Sequence, residues 1–243
     1  MPIGSAKRQR RIPFTAACVA AFLGTMLAPA QSLDSASVIQ RVNAAVKARI
    51  DNVAGYTDTE HYAVYRNKDE VHPVAEMTVL TTYRQDSGKS YTIISQTGSA
   101  IVQKLVLGTI LDNEKHLNEP GIREKAWITT ANYVMTLKPG GVQMLDGRRC
   151  LALTLVPRRR ASFLIDGTLW VDSMDGSIVQ VQGTTSGSSS LVSGPTQITR
   201  QYSNVDGFPE ATRLRGVSES FMFGRTIVKV DYRDYHIQLR PNL

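Results

Sequence analysis

Cysteine is nearly absent: the 243-residue chain contains only Cys18 and Cys150. There are two tryptophans, aromatics make up 7% of the residues, and the four histidines (His61, His72, His116, His236) are scattered. Each scarcity excludes something. A disulfide-stapled scaffold cannot be built from one pair, one member of which lies near the start of the chain. The histidines show none of the i, i+3 or i, i+4 spacings that place metal ligands on one helix face, so no metal and no cofactor is expected. Long hydrophobic runs are missing too. The longest, Ile12 to Leu27, is about 16 residues and is broken by Pro13 and Gly24, against about 20 for a membrane span.

What is present at the start is a basic segment (Lys7, Arg8, Arg10, Arg11), that apolar run, and then Ala28-Pro29-Ala30. This order predicts a secretory signal peptide over residues 1–30, with a single domain over 31–243 and a periplasmic or otherwise extracytoplasmic, soluble mature protein. Arg10-Arg11 with Phe14 leaves the twin-arginine route open beside the general one. Lipidation at Cys18 is disfavoured because the apolar run continues past it. The formal charge of +7 owes four units to residues 1–30, which carry no acidic residue. The remainder has 24 basic and 21 acidic residues, so no nucleic-acid partner is expected. With Cys18 removed, Cys150 has no intramolecular partner and the fold must rest on its core.

With 42% hydrophobic and 20% charged residues, the chain is long enough for one sizeable core. Val38, Ile39, Val42, Ala45, Val46, Ile50 and Val53 recur at helical spacing after a capping Asp34, and Gly55 is expected to end that helix. From Tyr56 the period becomes two. Strands are expected at 56–66, 74–84 and 89–95. A second helix opens at Ser99, with Ile101, Val102, Leu105, Val106, Ile110 and Leu111 as a broad apolar face, and stops before Pro120-Gly121. Further strands follow at 131–138, 141–145, 148–156, 162–172, 177–185, 196–204, 210–219 and 223–237, joined by Pro139-Gly140-Gly141, Asp146-Gly147, Asp175-Gly176 and Asp206-Gly207. Connections this short exclude parallel crossovers. The expected fold is α+β, mainly β: one strongly curved antiparallel sheet of about 11 strands, an open half-barrel with helices packed on the concave side.

The chain holds little that would carry a reaction. Gly216-Val217-Ser218-Glu219-Ser220 lacks the closing glycine of a nucleophile elbow. Asp58, Glu60 and His61 alternate, the two acids on one strand face and the histidine on the other, and are expected to be solvated. Cys150 precedes Leu151, Leu153 and Leu155, so it reads as a small strand residue despite Arg148 and Arg149 beside it. Arg158, Arg159 and Arg160 read as a solvated strand end. An enzyme is not expected.

The broad apolar face of the second helix instead suggests a lid over a concave sheet. If Asp172 pairs with Ser177, Trp170 faces Val179 and points inward. The candidate apolar cavity is then lined by Met77, Val79, Tyr83, Leu105, Met135, Trp170, Val179, Val181, Val230 and Tyr232.

This element order, with Thr130-Ala131-Asn132-Tyr133, Asp146-Gly147-Arg148-Arg149-Cys150 leading into Leu151-Ala152-Leu153, Gly167-Thr168-Leu169-Trp170-Val171-Asp172, and Gly224-Arg225 ahead of Val230-Asp231-Tyr232, resembles the LolA-like family of outer-membrane lipoprotein-sorting proteins. The likeness spans most of residues 35–237. It implies an open half-barrel with a hydrophobic cavity, carriage of lipid or lipoprotein acyl chains across the periplasm, and envelope membrane proteins as partners. The alternative on the same fold is an envelope-stress sensor or interaction module that does not carry lipid.

Overall fold

A computed structural model describes residues 34–187, 194–220 and 224–241. The expected signal peptide, 1–30, and part of the expected loop at 186–190 lie outside the described residues. The described residues all belong to one compact unit, Leu33–Leu243.

Helix α1 (Ser35–Asn52) begins where predicted, with the Asp34 carboxylate accepting hydrogen bonds from the backbone N–H groups of Ala36 (3.3 Å) and Ser37 (3.2 Å). It ends at Asn52, before Gly55. The chain becomes strand at Val53, so Gly55 lies within a ladder, where a Cβ would meet the Tyr83 carbonyl oxygen at 2.6 Å. Close backbone approach explains this glycine; it does not stop the helix.

Ten strands follow among the described residues: β1 (Val53–Arg66), β2 (Ala75–Arg84), β3 (Gly88–Gly98), β4 (Tyr133–Leu145), β5 (Arg148–Pro157), β6 (Ile165–Asp172), β7 (Ile178–Thr185), β8 (Gln197–Val205), β9 (Phe208–Ser220) and β10 (Gly224–Leu239). The two runs expected at 131–138 and 141–145 are one strand, because a bulge between Leu137 and Val142 absorbs Pro139-Gly140-Gly141 without ending the pairing with β5. All neighbours are antiparallel, in the order β3-β2-β1-β10-β9-β8-β7-β6-β5-β4, so β3 and β4 are edges and the sheet is open.

The second helical stretch comprises α2 (Ala100–Val102), a π-helical segment (Gln103–Gly108) and α3 (Thr109–Leu117). It runs back along β3: Gln103 donates to the Thr97 carbonyl at 2.7 Å near one end of that strand, and Glu114 meets Lys89 near the other. We call it the lid helix.

The inner face of the sheet carries two apolar clusters. In the first, Val38 and Val42 of α1 pack on Tyr133, Met135, Leu151, Leu153, Leu155, Leu169, Val171, Ile178 and Val181. In the second, Val102, Leu107 and Leu111 of the lid pack on Tyr62, Val64, Ala75, Met77, Val79, Val230 and Tyr232. The sheet bends around both. Lys89 of β3 and Arg200 of β8 approach one carboxylate, that of Glu114, to 2.9 and 3.8 Å, although their strands lie five positions apart. In a flat sheet those strands would be about 24 Å apart, beyond the reach of the side chains.

Trp170 does not face inward as expected. The Asp172 N–H does donate to the Ser177 carbonyl at 2.9 Å, as the turn residues imply. The register then slips between Trp170 and Val171, so Val171 faces Ile178 and Trp170 faces Gln180, not Val179. This bulge leaves Leu169 and Val171 in the first cluster, with Trp170 on the opposite face beside Ala152.

Cys150 is fully buried, and burial pushes its thiol pKa up, with Arg148 only partly offsetting this. Cys150→Ser is expected to cost about 1–2 kcal/mol in a urea melt, from the hydroxyl placed among apolar groups.

Candidate functional site

Alternation along β1 places Tyr56, Asp58, Glu60, Tyr62 and Val64 on the inner face, all buried. Asp58 and Glu60 are therefore not solvated; they are 1% and 0% exposed. His61 points the other way, half-buried, 3.1 Å from the Thr78 hydroxyl. The two acids belong to a buried polar seam between the apolar clusters.

Its members come from most of the molecule. Lys89 Nζ, also buried, donates to Glu60 Oε1 (3.2 Å) and to Glu114 Oε2 (2.9 Å). The Tyr62 hydroxyl donates to the other Glu60 oxygen, and the Tyr91 hydroxyl donates to Glu114 at 3.3 Å. Arg49 at the end of α1 grips Glu210 of β9 through two hydrogen bonds of 2.8 and 2.7 Å. This fork-on-fork geometry is the strong form of the pair. Tyr56 stacks on Tyr83 with ring centroids 5.0 Å apart and lies 5.6 Å from Tyr235.

Burial and charge act against one another here. Glu114 is penalised by burial, yet Lys89 and Arg200 outweigh that and hold its carboxyl below its ordinary value. Burial would lower Lys89, but Glu114, Tyr56 and Glu60 keep it well above the usual lysine value. For Asp58 the compensation, from Lys89, is too small. Burial, with neighbouring Glu60 adding to it, pushes its pKa up to about 8. Neither Asp58 oxygen accepts a hydrogen bond within the described protein, and the buried Thr81 hydroxyl, opposite it on β2, is likewise unpartnered. At neutral pH Asp58 thus carries a proton inside the seam.

The ten residues expected to line a cavity divide into several groups. Met77, Val79, Val230 and Tyr232 meet in the second cluster under the lid. Met135 and Val181 belong to the first, under α1. Tyr83 joins the seam through its stack on Tyr56, and its hydroxyl accepts from Arg123 at 3.2 Å. Val179 is buried at the β6–β7 bulge, outside both clusters. Leu105 is 48% exposed on the lid, because the π segment turns Leu107 inward in its place. Trp170 is on the other face. Periodicity missed Leu107, which is fully buried, and the polar seam altogether.

Hollows open at the surface formed by the described residues. One of about 550 Å³ is bordered by Arg84, Arg123 and Arg240 near the Tyr83 end, and one of about 670 Å³ lies against Arg158, Arg159 and Arg160. The second triplet is more than a solvated strand end. Arg158 donates to the Thr130 carbonyl at 2.8 Å and Arg159 to Asn132 Oδ1 at 2.9 Å, pinning the segment that leads into β4. Among the described residues, no three metal-binding side chains converge, and no helix is long and apolar enough to cross a membrane.

No protein-family model and no curated protein matches the chain. Among solved structures it is similar to a LolA superfamily protein from Nitrosomonas europaea, at 12% identity and a TM-score of 0.44, covering 86% of this chain and 96% of that one. It is similar to an outer membrane lipoprotein-sorting protein domain from Vibrio parahaemolyticus, at 12% identity and a TM-score of 0.44, covering 84% and 92%. A third, a DUF1329 family protein from Desulfovibrio piger, has 11% identity and a TM-score of 0.41, covering 82% and 93%.

Proposed function

We propose that the protein is an extracytoplasmic carrier that shelters the acyl chains of a lipid or lipoprotein between the inner face of its sheet and the lid helix. Binding is reversible and involves no covalent chemistry. In this reading residues 1–30 are a signal peptide, residues 31–243 form the carrier, and envelope membrane proteins deliver and receive the cargo.

The observation that carries the reading is the lid. It covers one apolar cluster with Val102, Leu107 and Leu111, contains a π segment, and is linked to the strands by a small set of polar contacts centred on Glu114. Segments of π-helix are frequent where a helix must serve a function at some cost in stability. Displacing the lid would uncover Tyr62, Met77, Val79, Val230 and Tyr232 on one continuous face, and each methylene buried there contributes about 0.8 kcal/mol. Ile101 and Leu105, 64% and 48% exposed, place apolar surface at the rim where a chain would enter.

A second reading, an interaction or envelope-stress sensing module, is favoured by one observation: Leu107 and Leu111 fill the space that a ligand would occupy. Native mass spectrometry of the exported, purified protein separates the two. The carrier reading expects a lipid-sized mass increment that is lost on delipidation and regained with added lipid; a bare mass that no lipid changes would support the module.

A further inference from the structure

Among the described residues the seam contains three cations, of which Lys89 is buried and Arg49 and Arg200 are partly exposed, and four carboxyl groups. Arg49 is bound to Glu210, Lys89 bridges Glu60 and Glu114, and Arg200 lies 3.8 Å from Glu114. With those groups matched three to three, Asp58 is the carboxyl left over. It is 1% exposed, and neither oxygen has a hydrogen-bond partner among the described residues. Lys89 cannot serve it without leaving Glu60 or Glu114. Opposite, Thr81 is 0% exposed and its hydroxyl is also unpartnered. Beside them stand the ring of Tyr56, stacked on Tyr83, and the ring of Tyr235. A buried carboxyl, a free hydroxyl and aromatic faces are the groups that recognise an organic ammonium. A bare metal ion would need a denser set of oxygen or nitrogen ligands.

We propose that Asp58, with Thr81 and the Tyr56–Tyr83–Tyr235 group, binds the ammonium end of a cationic amphiphile whose hydrocarbon part lies along the inner face towards the lid. The proposal rests on the carrier reading and adds a choice of head group. Asp58, Glu60, Tyr62 and Val64 share one face of β1, so a chain anchored at Asp58 runs past the paired Glu60 into the second apolar cluster. The charge arithmetic selects a monocation, since one positive charge balances the seam with Asp58 ionised. The cation takes the place of a proton. Glu60, Lys89, Glu210 and Glu114 set the field at Asp58, and Tyr56 and Tyr235 stand beside it.

The test is isothermal titration of the full mature chain with three ligands of equal length: decylammonium, decanol and decanoate. Asp58 keeps its proton up to about pH 8. Decylammonium affinity is therefore expected to rise about fifty-fold between pH 6 and 8, with close to one proton released per ligand at pH 6 and about half of one at pH 8, while decanol affinity stays flat. Asp58→Asn replaces a neutral carboxyl by an amide of the same shape, so the fold is retained. In that variant the pH dependence should vanish and decylammonium should bind at least about tenfold more weakly at pH 8, with decanol unchanged. Decylammonium binding that is independent of pH, or equal in Asp58→Asn, overturns the ammonium site, while decanol binding leaves the carrier reading standing. Failure of all three ligands to bind the wild type overturns both.

Discussion

Asp58→Asn should make the protein more stable, and increasingly so as the pH rises. The folded pKa of Asp58 is about 8 against an ordinary 3.8, so the folded state holds a proton that the unfolded state has released. Between these values the unfolded chain binds fewer protons, and wild-type stability falls as pH increases. Asparagine carries no such penalty. Its advantage is expected to be ~1–2 kcal/mol near pH 5, to grow to ~5 kcal/mol near pH 8, and to level off above that. Urea melts of both proteins at several pH values read this directly. A constant difference across the range, or a destabilised variant, would show that Asp58 is ionised and compensated in the folded protein.

Glu114→Gln should release the lid. Its carboxylate is the shared partner of Lys89, Arg200 and Tyr91. Neutralising it leaves Lys89 with Glu60 alone and Arg200, one-third exposed, without a carboxylate among the described residues, and breaking a partly buried charge network of this kind from one side costs about 1–3 kcal/mol. The loss should be local. Hydrogen exchange across residues 100–117 is expected to quicken while exchange in β5 and β6, under α1, stays slow. The same lid should loosen in acid. A carboxyl whose folded pKa lies below its ordinary 4.5 contributes stability above that value and loses it as the pH falls through the folded one. Uniform acceleration in both halves, or none in the lid, would show that Glu114 is not its latch.

Much of the architecture is written in short-range patterns. Asp34 marks the start of α1, and Met77 and Val79, like Val230 and Tyr232, alternate with polar residues so plainly that the inner face of the sheet can be read from them. Turn residues separate the strands, and only where a bulge carries the chain through Pro139-Gly140-Gly141 do two expected strands merge. Parity even sorted Asp58 and Glu60 from His61. What polarity concealed was that the acids share parity with Tyr62 and Val64, and therefore face inward. Their compensation comes from Lys89, Glu114, Arg200 and Glu210, brought in by strands and a helix far away in the chain, and no local spacing encodes that. Trp170 failed for a different reason: one bulge in the β6–β7 ladder exchanges the faces of everything beyond it, while the turn itself looks unchanged.

The claim that acyl chains lie between the lid and the inner face is tested most directly by photocrosslinking. A lipid with a diazirine in its chain, incubated with the full mature protein and irradiated, should mark residues of the second cluster, above all Tyr62, Met77, Leu107 and Val230, in peptides mapped by mass spectrometry. Labelling should fall when unmodified lipid competes. Adducts confined to the opposite face around Trp170, or labelling that no competitor reduces, would contradict a binding site beneath the lid.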